Sequence, residues 1–335
     1  MGGQHPYRVV ILPVPEGVVR PLWSVVIPTY NCAAYLREAL VSVLAQDPGP
    51  NVMQIEVVDD HSTKDDPEAV VAEVGNGRVA FYRQPRNVGH TENFATCLQR
   101  SRGKLIHLLH GDDGVRDGFY RKMQHAFAKQ PEIGAAFCRQ IFMDENGHWQ
   151  GISPLEQQTS GILDNWLERL AVEQRIMTPS IVVRREVYEA VGGFDSRLVC
   201  SEDWEMWVRI AARYPIWYEV EPLAFYRMHF DSNTGRHIST GEDISYTCKA
   251  IDIFKQYLPD DLVGRVSRMA KETYALSALN MAYTMLARGD SIAIAAQIRA
   301  ALGCSRSLRI ALRVLQILIR LGLNWVRLKL RYGIA

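Results

Sequence analysis

One ten-residue stretch constrains the fold of this chain more than any other, the sequence KLIHLLHGDD at Lys104–Asp113. Within it, Leu105–Leu109 is apolar apart from His107 and lies between Gly103 and Gly111, which predicts a short buried β-strand. Two adjacent carboxylates, Asp112 and Asp113, follow this strand directly. Because parallel sheets bind ligands just beyond the carboxyl ends of their strands, we expect a ligand site here.

Two neighbouring acids repel each other unless a positive charge compensates them. A divalent cation with oxygen ligands, itself bridging a diphosphate, is the natural candidate. An Asp-Asp pair is weak evidence by itself, because Asp65-Asp66 and Asp260-Asp261 precede helical stretches and predict only helix starts. The hypothesis that Asp112-Asp113 binds a metal therefore depends on the other motifs of the sequence.

Strands and helices alternate at short intervals before this pair, which predicts a parallel α/β sheet. Two strand ends carry Asp pairs, and the first strand ends in a Pro-Thr-Tyr-Asn loop, so polar groups suited to a nucleotide meet at one edge. Neither GxGxxG nor GxxxxGK[ST] follows the first strand, which disfavours a nicotinamide dehydrogenase and a P-loop NTPase. The predicted strands are 23–28, 54–58, 79–83 and 105–109, and the predicted helices are 33–44, 68–74 and 91–99, the last capped by Thr91.

The following segment predicts a second set of elements and a further acidic motif. Ser201-Glu202-Asp203-Trp204 begins an amphipathic helix, and Ser201 as N-cap with acids in the first turn is a sufficient structural explanation. The polar run Asp231–Thr240 predicts a loop that closes over a bound ligand. The remaining predictions are helices at 119–129, 166–170 and 186–191, strands at 133–143, 180–183 and 223–225, and a hairpin turn at Glu145–Gly147.

Composition places the chain among ordinary globular proteins. Its 335 residues are 47% hydrophobic and 22% charged, enough for one large or two modest domains. We expect no signal peptide and no membrane span, because prolines interrupt the apolar N-terminus and no uncharged apolar run is long enough. The six cysteines show no metal-ligand or redox spacing, which predicts reduced thiols in a cytoplasmic protein.

The net charge of +1 hides an acidic body and a basic tail. The last 45 residues contain eight basic and no acidic residues, so the first 290 hold 30 basic and 37 acidic groups. Helices are predicted at 251–258, 262–286, 291–302 and 305–332. In the last of these, six arginines fall within an arc of about 60° on a helical wheel, and most of the circumference is apolar. This pattern predicts a helix lying on a membrane surface, with packing on its own domain or a homodimer interface as the alternatives.

Seven motifs follow one another across roughly Pro21–Thr240: WSVVIPTYN, VVDDHSTKDD, NVGHTENF, KLIHLLHGDD, GGFD, SEDWEMWVRI and YRMH. In this order they resemble the family 2 glycosyltransferases of the GT-A fold. The resemblance implies an α/β fold with a mixed sheet, flanked by helices, and an inverting transfer of a sugar from a nucleotide-sugar donor with Mg²⁺ or Mn²⁺.

The resemblance also implies roles for individual residues. Asp203 matches the acid of the family's xED motif and would be the catalytic base, with Glu202 and Trp204 on the acceptor side. Asp113 would bind the metal, and His229 is a candidate second ligand. No acid stands two residues before Asp113, which predicts fewer protein ligands than a strict DxD site has. The residues implied in donor binding are Pro28, Thr29, Tyr30, Asp59, Asp60, Asn87, Asn93 and Asp112.

We therefore predict an N-terminal extension at 1–20, a GT-A domain at 21–240 and a helical region at 241–335. The function predicted is glycosyl transfer to a glycan or lipid-linked acceptor in cell-surface polysaccharide or glycolipid assembly, on the inner face of the membrane. No nucleic-acid partner is expected. A non-catalytic sugar-nucleotide or glycan-binding relative is the alternative, although its expected signature is loss of Asp113 or Asp203, and both are present. A nucleotidyltransferase is disfavoured, since no Gly-rich basic loop follows the first strand.

Overall fold

The computed structural model describes residues 5–229, 237, 240–286 and 290–332, and for 323–332 it describes the helical backbone alone. The chain forms two compact units. The first comprises Met1–Leu170 and Gln174–His229, and the second comprises Ala171–Glu173 and Phe230–Ala335. Apart from His237 and Thr240, the predicted closing loop at 231–240 lies outside the described residues.

The first unit is built on a mixed sheet, as predicted, with ten strands in the described part of the chain. The main strand order is β3-β2-β1-β4-β9-β6-β10-β5, with β7 paired to β6 and β8 to β10. Strands β1 to β4 are mutually parallel, whereas β9 runs antiparallel to both β4 and β6. The strands are β1 Trp23–Thr29, β2 Met53–Asp59, β3 Ala80–Arg83, β4 Leu105–Leu108, β5 Gly114–Val115, β6 Ala135–Met143, β7 Trp149–Ile152, β8 Gly161–Ile162, β9 Ile181–Arg184 and β10 Ile216–Arg227.

Helices flank this sheet, and their apolar faces form its core. Leu36, Leu40 and Val43 of the first helix and Met123 of the fourth are fully buried against strand residues such as Val25. The helices of this unit are α1 Ala33–Leu44, α2 Pro67–Gly75, α3 His90–Arg100, α4 Phe119–Lys129, α5 Trp166–Val172, which ends in the second unit, α6 Arg185–Val191 and α7 Glu202–Ala211.

The histidine that interrupts the apolar run of β4 belongs to the core. His107 is fully buried, and its ring nitrogens lie 3.1 Å from the Tyr120 hydroxyl and 3.0 Å from the Pro179 carbonyl oxygen. Burial lowers its pKa to about 4, so the imidazole is neutral near pH 7. A buried polar group with both ends hydrogen-bonded is compatible with a central strand.

Two helix starts differ from the sequence predictions. Helix α3 begins one residue early, at His90, and the N-cap is Gly89 with φ of 86° rather than Thr91. Ser201 does precede α7, but its φ is 63° and its side chain makes no capping hydrogen bond. Asp66, by contrast, caps α2 as predicted, because its side chain accepts from the Ala69 N–H.

The second unit is helical. Its helices are α8 Glu242–Phe254, α9 Asp260–Met285, α10 Ser291–Cys304 and α11 Leu308–Tyr332, so the helix predicted at 251–258 was placed too late in the chain. Their shared core includes Leu279, Ile294, Ile310 and Ile317.

The prediction that all six cysteines are reduced was wrong for two of them. Cys248 of α8 and Cys304 of α10 form a disulfide in the second unit. The pairing links positions 56 residues apart, which no local spacing could indicate. Within the described residues, no helix combines the length and apolar content that crossing a bilayer requires.

Candidate active site

The ends of β1, β2 and β4 meet at one edge of the sheet, as the sequence predicted. The Asp60 N–H donates to the Thr29 carbonyl (2.9 Å), and the Gly111 N–H donates to the Pro28 carbonyl (3.0 Å). A Cβ at Gly111 would lie 2.9 Å from the Thr29 hydroxyl oxygen, so only glycine allows this approach without movement. Tyr30, which follows Thr29 in the sequence, is exposed.

The two carboxylates after β2 fix the loops around them. Asp60 is buried and accepts the backbone N–H groups of Val88 (2.7 Å) and Gly89 (3.0 Å). Burial raises its pKa despite these two hydrogen bonds. Asp59 is fully buried, accepts the Ser62 hydroxyl (2.5 Å) and pairs with Arg83 (2.8 Å). Both acids therefore shape the predicted donor-binding loops from within.

The two predicted donor-binding asparagines are likewise engaged with the protein. Asn87 donates to the Asp60 carbonyl (3.2 Å). Asn93 is buried, donates to the Val58 carbonyl (2.9 Å) and accepts from Gln84 (3.1 Å). These contacts join α3 to the end of β2 and hold the loop between them in place.

The acidic pair after β4 forms a cluster with a histidine. His110, Asp112 and Asp113 each offer one ligand atom, and these atoms lie within 4.8 Å of one another. The Oδ2 atom of Asp113 is buried and has no hydrogen-bond partner among the described residues, although His110 Nδ1 lies 3.5 Å away. Two carboxylates and an imidazole with an unsatisfied buried oxygen are a suitable donor set for Mg²⁺ or Mn²⁺.

Burial and mutual repulsion separate the pKa values of the two acids. Burial raises the pKa of Asp113 to about 6, and the charge of Asp112 adds to the rise. Burial also acts upward on Asp112, but its hydrogen bond with His229 and the charge of His110 bring its pKa below the usual value.

The end of β10 supports this cluster from the other side. The Arg227 N–H donates to Asp113 Oδ1 (2.9 Å), and its guanidinium donates to the Asp112 carbonyl (2.9 Å) and to Glu38 (2.5 Å). His229 Nε2 lies 2.9 Å from Asp112 Oδ2. His229 therefore stands beside the cluster, and its ring nitrogen contacts Asp112.

The predicted base lies at the first turn of α7. Asp203 is partly exposed, and its Oδ2 accepts from the Gln174 side chain (2.7 Å) and from Thr178 (3.4 Å). Burial raises its pKa to about 7, and the charge of Glu202 contributes to the rise, whereas the charge of His110 lowers it. A carboxylate with this pKa is suited to accept a proton near neutral pH.

The neighbours of Asp203 face the protein interior. Glu202 is buried and lies 3.2 Å from His90 Nε2. Trp204 is completely buried and donates its indole N–H to the Leu170 carbonyl (2.7 Å). Of the two residues predicted for the acceptor side, Trp204 therefore has no surface to offer an acceptor in this structure.

A family model described as glycosyl transferase family 2 matches residues 24–192. The chain belongs to this family. It is therefore a glycosyltransferase, and the nucleotidyltransferase and non-catalytic alternatives are not supported.

Curated relatives agree with this assignment. An uncharacterised glycosyltransferase of Rickettsia prowazekii is 24% identical over 233 residues, which are 68% of this chain and 70% of the relative. The O-antigen biosynthesis protein RfbC of Myxococcus xanthus is 25% identical over 215 residues, which are 58% of this glycosyltransferase and 16% of that protein.

Solved structures show that the fold is GT-A, as predicted. TarS 1-349 of S. aureus in complex with UDP-GlcNAc has a TM-score of 0.61 at 16% identity and covers 83% of this chain and 79% of that one. The mannosyltransferase PcManGT of Pyrobaculum calidifontis in complex with GDP-Man and Mn²⁺ has a TM-score of 0.57 at 17% identity, over 96% of this glycosyltransferase and 84% of the other.

Several residues that build this site were not predicted from the sequence. Gln174 and Thr178 reach Asp203 from segments 29 and 25 residues away, and no motif marks them. His90 lies within NVGHTENF, and His110 within KLIHLLHGDD, but neither was assigned a role. The contact of His90 with Glu202 in space identifies the first, whereas the second was overlooked although it stands two residues before Asp112 in the sequence.

Proposed function

We propose that this glycosyltransferase inverts the anomeric centre of a nucleotide-sugar donor, with Asp203 as the general base. The main support is the state of Asp203 itself: a partly exposed carboxylate, oriented by Gln174 and with a pKa of about 7. The His110–Asp112–Asp113 cluster lies close enough for the charge of its histidine to act on Asp203. A base and a diphosphate site in one cleft are what direct displacement requires.

In the proposed step, the acceptor hydroxyl oxygen attacks the anomeric carbon from the face opposite the diphosphate. The bond from that carbon to the diphosphate oxygen breaks, and the hydroxyl proton passes to Asp203. The Gln174 and Thr178 contacts hold one carboxylate oxygen in place. Because a single carboxylate accepts the proton and no covalent sugar–enzyme bond forms, the product has the inverted configuration.

We propose Asp113 and Asp112 as the oxygen ligands of a Mg²⁺ or Mn²⁺ ion, with His110 as a nitrogen ligand. The buried Asp113 oxygen without a hydrogen-bond partner among the described residues supports this assignment. His229, the second ligand predicted from the sequence after Asp113, would orient Asp112 or join the ion after a small movement. When bound, such an ion neutralises the charge of the departing diphosphate.

The donor proposal follows the two solved relatives, which hold UDP-GlcNAc and GDP-Man. Pro28, Thr29, Tyr30 and the loops fixed by Asp59, Asp60, Asn87 and Asn93 would surround the nucleoside. The acceptor proposed is a hydroxyl of a growing surface polysaccharide or glycolipid, in line with the name of the Myxococcus relative. Glu202, which is buried against His90, would shape the acceptor side from behind the base rather than contact the acceptor.

We also propose a peripheral position on the inner face of the membrane, through α11. Leu308, Leu312, Leu315 and Ile319 of this helix are half or more exposed, while Ile310 and Ile317 on another face are buried in the second unit. An exposed apolar stripe on an arginine-rich, acid-free helix is typical of a segment that binds anionic lipid.

The variant Asp203→Asn tests the general base. We expect it to lower turnover by about 10²–10⁴-fold, the usual loss on removing a general base, while donor affinity measured by calorimetry stays the same. Asp117→Asn, the same change at an exposed acid, should leave turnover unchanged.

In the parent enzyme, kcat/KM should rise with pH up to about 7, as Asp203 loses its proton, and this rise should be absent from the variant. Turnover by Asp203→Asn close to that of the parent enzyme would exclude Asp203 as the base. A product of retained configuration, detected by NMR, would exclude the inverting mechanism.

A further inference from the structure

The segment Tyr7–Leu12, which we call the N-terminal strap, is bound to the loop that leads into α7. The Gly193 N–H donates to the Val9 carbonyl (2.9 Å), and the Ser196 N–H donates to the Tyr7 carbonyl (2.8 Å). Between them, Arg8 and Asp195 form an isolated antiparallel β-bridge. The strap therefore restrains this loop through its backbone.

The Arg8 side chain joins that loop to α7. Its guanidinium lies 3.3 Å from Asp195 and 3.1 Å from Glu205, and all three side chains are almost completely buried. Glu205 belongs to α7 and stands two residues after Asp203. Because successive helical residues differ by about 100°, Glu205 and Asp203 lie on nearly opposite faces of the helix. Arg8 thus holds the back of the helix that presents the base.

The need to neutralise Asp195 and Glu205 does not by itself explain why Arg8 lies between them. Asp195 also forms two hydrogen bonds with Arg197 (2.8 and 2.7 Å), and Glu205 is paired with Arg209 (2.8 Å). Removing one partner of a buried ion pair strongly destabilises the fold when it leaves the other charge uncompensated. Without Arg8, each of these acids still has an arginine partner. Arg209 also joins α7 to the start of this loop, since its guanidinium donates to the Val191 and Gly193 carbonyls. What the loss of Arg8 removes is the side-chain bridge from Asp195 to Glu205.

We propose that Arg8 is a positioning residue for the general base, which it holds in place through Glu205 and α7. This inference rests on the proposed role of Asp203. A catalytic group displaced by about 1 Å can lose about 100-fold in rate, so a bridge behind the helix is sufficient to control turnover. The strap, predicted only as an extension, is then part of the catalytic apparatus.

The test compares Arg8→Met in the parent enzyme and in Asp203→Asn, with Arg20→Met as the matched control. Arg20 lies between the N-terminal strap and β1, and its side chain donates at the surface to the Arg102 carbonyl. In the parent enzyme we expect Arg8→Met to lower kcat about tenfold or more while the calorimetric Kd for donor is unchanged. In the Asp203→Asn background, Arg8→Met should lower kcat no further. Arg20→Met should leave kcat unchanged in both backgrounds.

An unchanged kcat in folded Arg8→Met, or an equal fold loss in both backgrounds, would overturn the proposal, because Arg8 would then not act through Asp203. If Arg8→Met does not fold, as thermal melting would show, Arg8→Lys replaces it. One ammonium cannot bridge both acids as a guanidinium does, so the same loss of kcat is expected, and full activity would overturn the proposal. Failure of the proposed function is seen separately, as wild-type turnover by Asp203→Asn alone.

Discussion

One oxygen atom, Oδ2 of Asp113, has an unusual environment at the scale of single residues. It is buried beside a second carboxylate and has no hydrogen-bond partner in the described part of the chain, with His110 Nδ1 3.5 Å away as its nearest positive group. The nearby Arg227 does not satisfy it, since the Arg227 N–H donates to the other oxygen and the guanidinium donates elsewhere. A buried anionic oxygen in this state costs free energy unless a cation compensates it.

We therefore expect Asp113→Asn to weaken Mn²⁺ binding by more than about tenfold, since the loss of outer-shell partners alone costs about 10–100-fold. The amide keeps an oxygen for the Arg227 N–H, so the fold should persist. Titration of the full chain with Mn²⁺, followed by calorimetry, measures the change. Asp117→Asn, at an exposed acid in the next loop, is the control and should bind Mn²⁺ like the parent. Equal affinity in both variants would remove Asp113 from the metal site.

At the scale of elements, two glycines next to β4 make different close approaches to β1. A Cβ on Gly103 would lie 2.5 Å from backbone atoms of Trp23 and Ser24, which cannot move without disturbing the sheet. A Cβ on Gly111 would instead meet the Thr29 side chain at 2.9 Å and the Cys32 sulfur at 3.2 Å. The first glycine therefore serves strand packing, and the second serves the geometry of the site.

Substitution by alanine should separate these two effects. Gly103→Ala should lower the melting temperature strongly, because overpacking a core typically costs about 1–3 kcal/mol or more. Gly111→Ala should stay folded but bind donor more weakly, because the loop bearing Asp112 and Asp113 must shift. Thermal melting and donor calorimetry on both variants provide the measurements. Equal loss of stability in the two, with donor binding intact in Gly111→Ala, would contradict the distinction.

Some features of the fold and of the site were predictable from the sequence, and others were not. Strand ends follow from apolar runs that stop at polar residues, so the meeting of Thr29, Asp60 and Asp112 at one edge was predictable. Contacts that depend on tertiary approach were not. The Gln174–Asp203 hydrogen bond, the Arg8–Glu205 pair and the Cys248–Cys304 disulfide join positions that no periodicity relates. The predicted cap at Thr91 was wrong because Gly89, with a positive φ, is the N-cap of that helix.

At the scale of the whole molecule, charge and apolar surface divide between the body and the tail. The first 290 residues have seven more acidic than basic groups, whereas the last 45 are purely basic in their charged residues. In the tail, Arg313 contacts Asn280 of α9, and Arg320 lies over the Tyr283 ring of α9. Leu312, Leu315 and Ile319 point away from the buried side and are half exposed. Up to residue 322, the other helices of the second unit therefore cover only part of the apolar surface of α11.

The membrane proposal is best tested on this exposed stripe. Truncation before α11 would also remove Ile310 and Ile317 from the core of the second unit, so point substitutions separate binding from folding better. We expect the full chain to float with anionic liposomes and the triple variant Leu312→Ser, Leu315→Ser, Ile319→Ser not to. Each of these side chains contributes about 1.5 kcal/mol or more when buried, so partitioning should fall by at least about a hundredfold. The control pair Ile292→Ser and Leu302→Ser, at exposed positions of α10, should still float. Liposome binding that survives the triple substitution would rule out this stripe as the lipid-binding surface. A triple variant that loses only self-association, measured by sedimentation, would favour a homodimer interface instead.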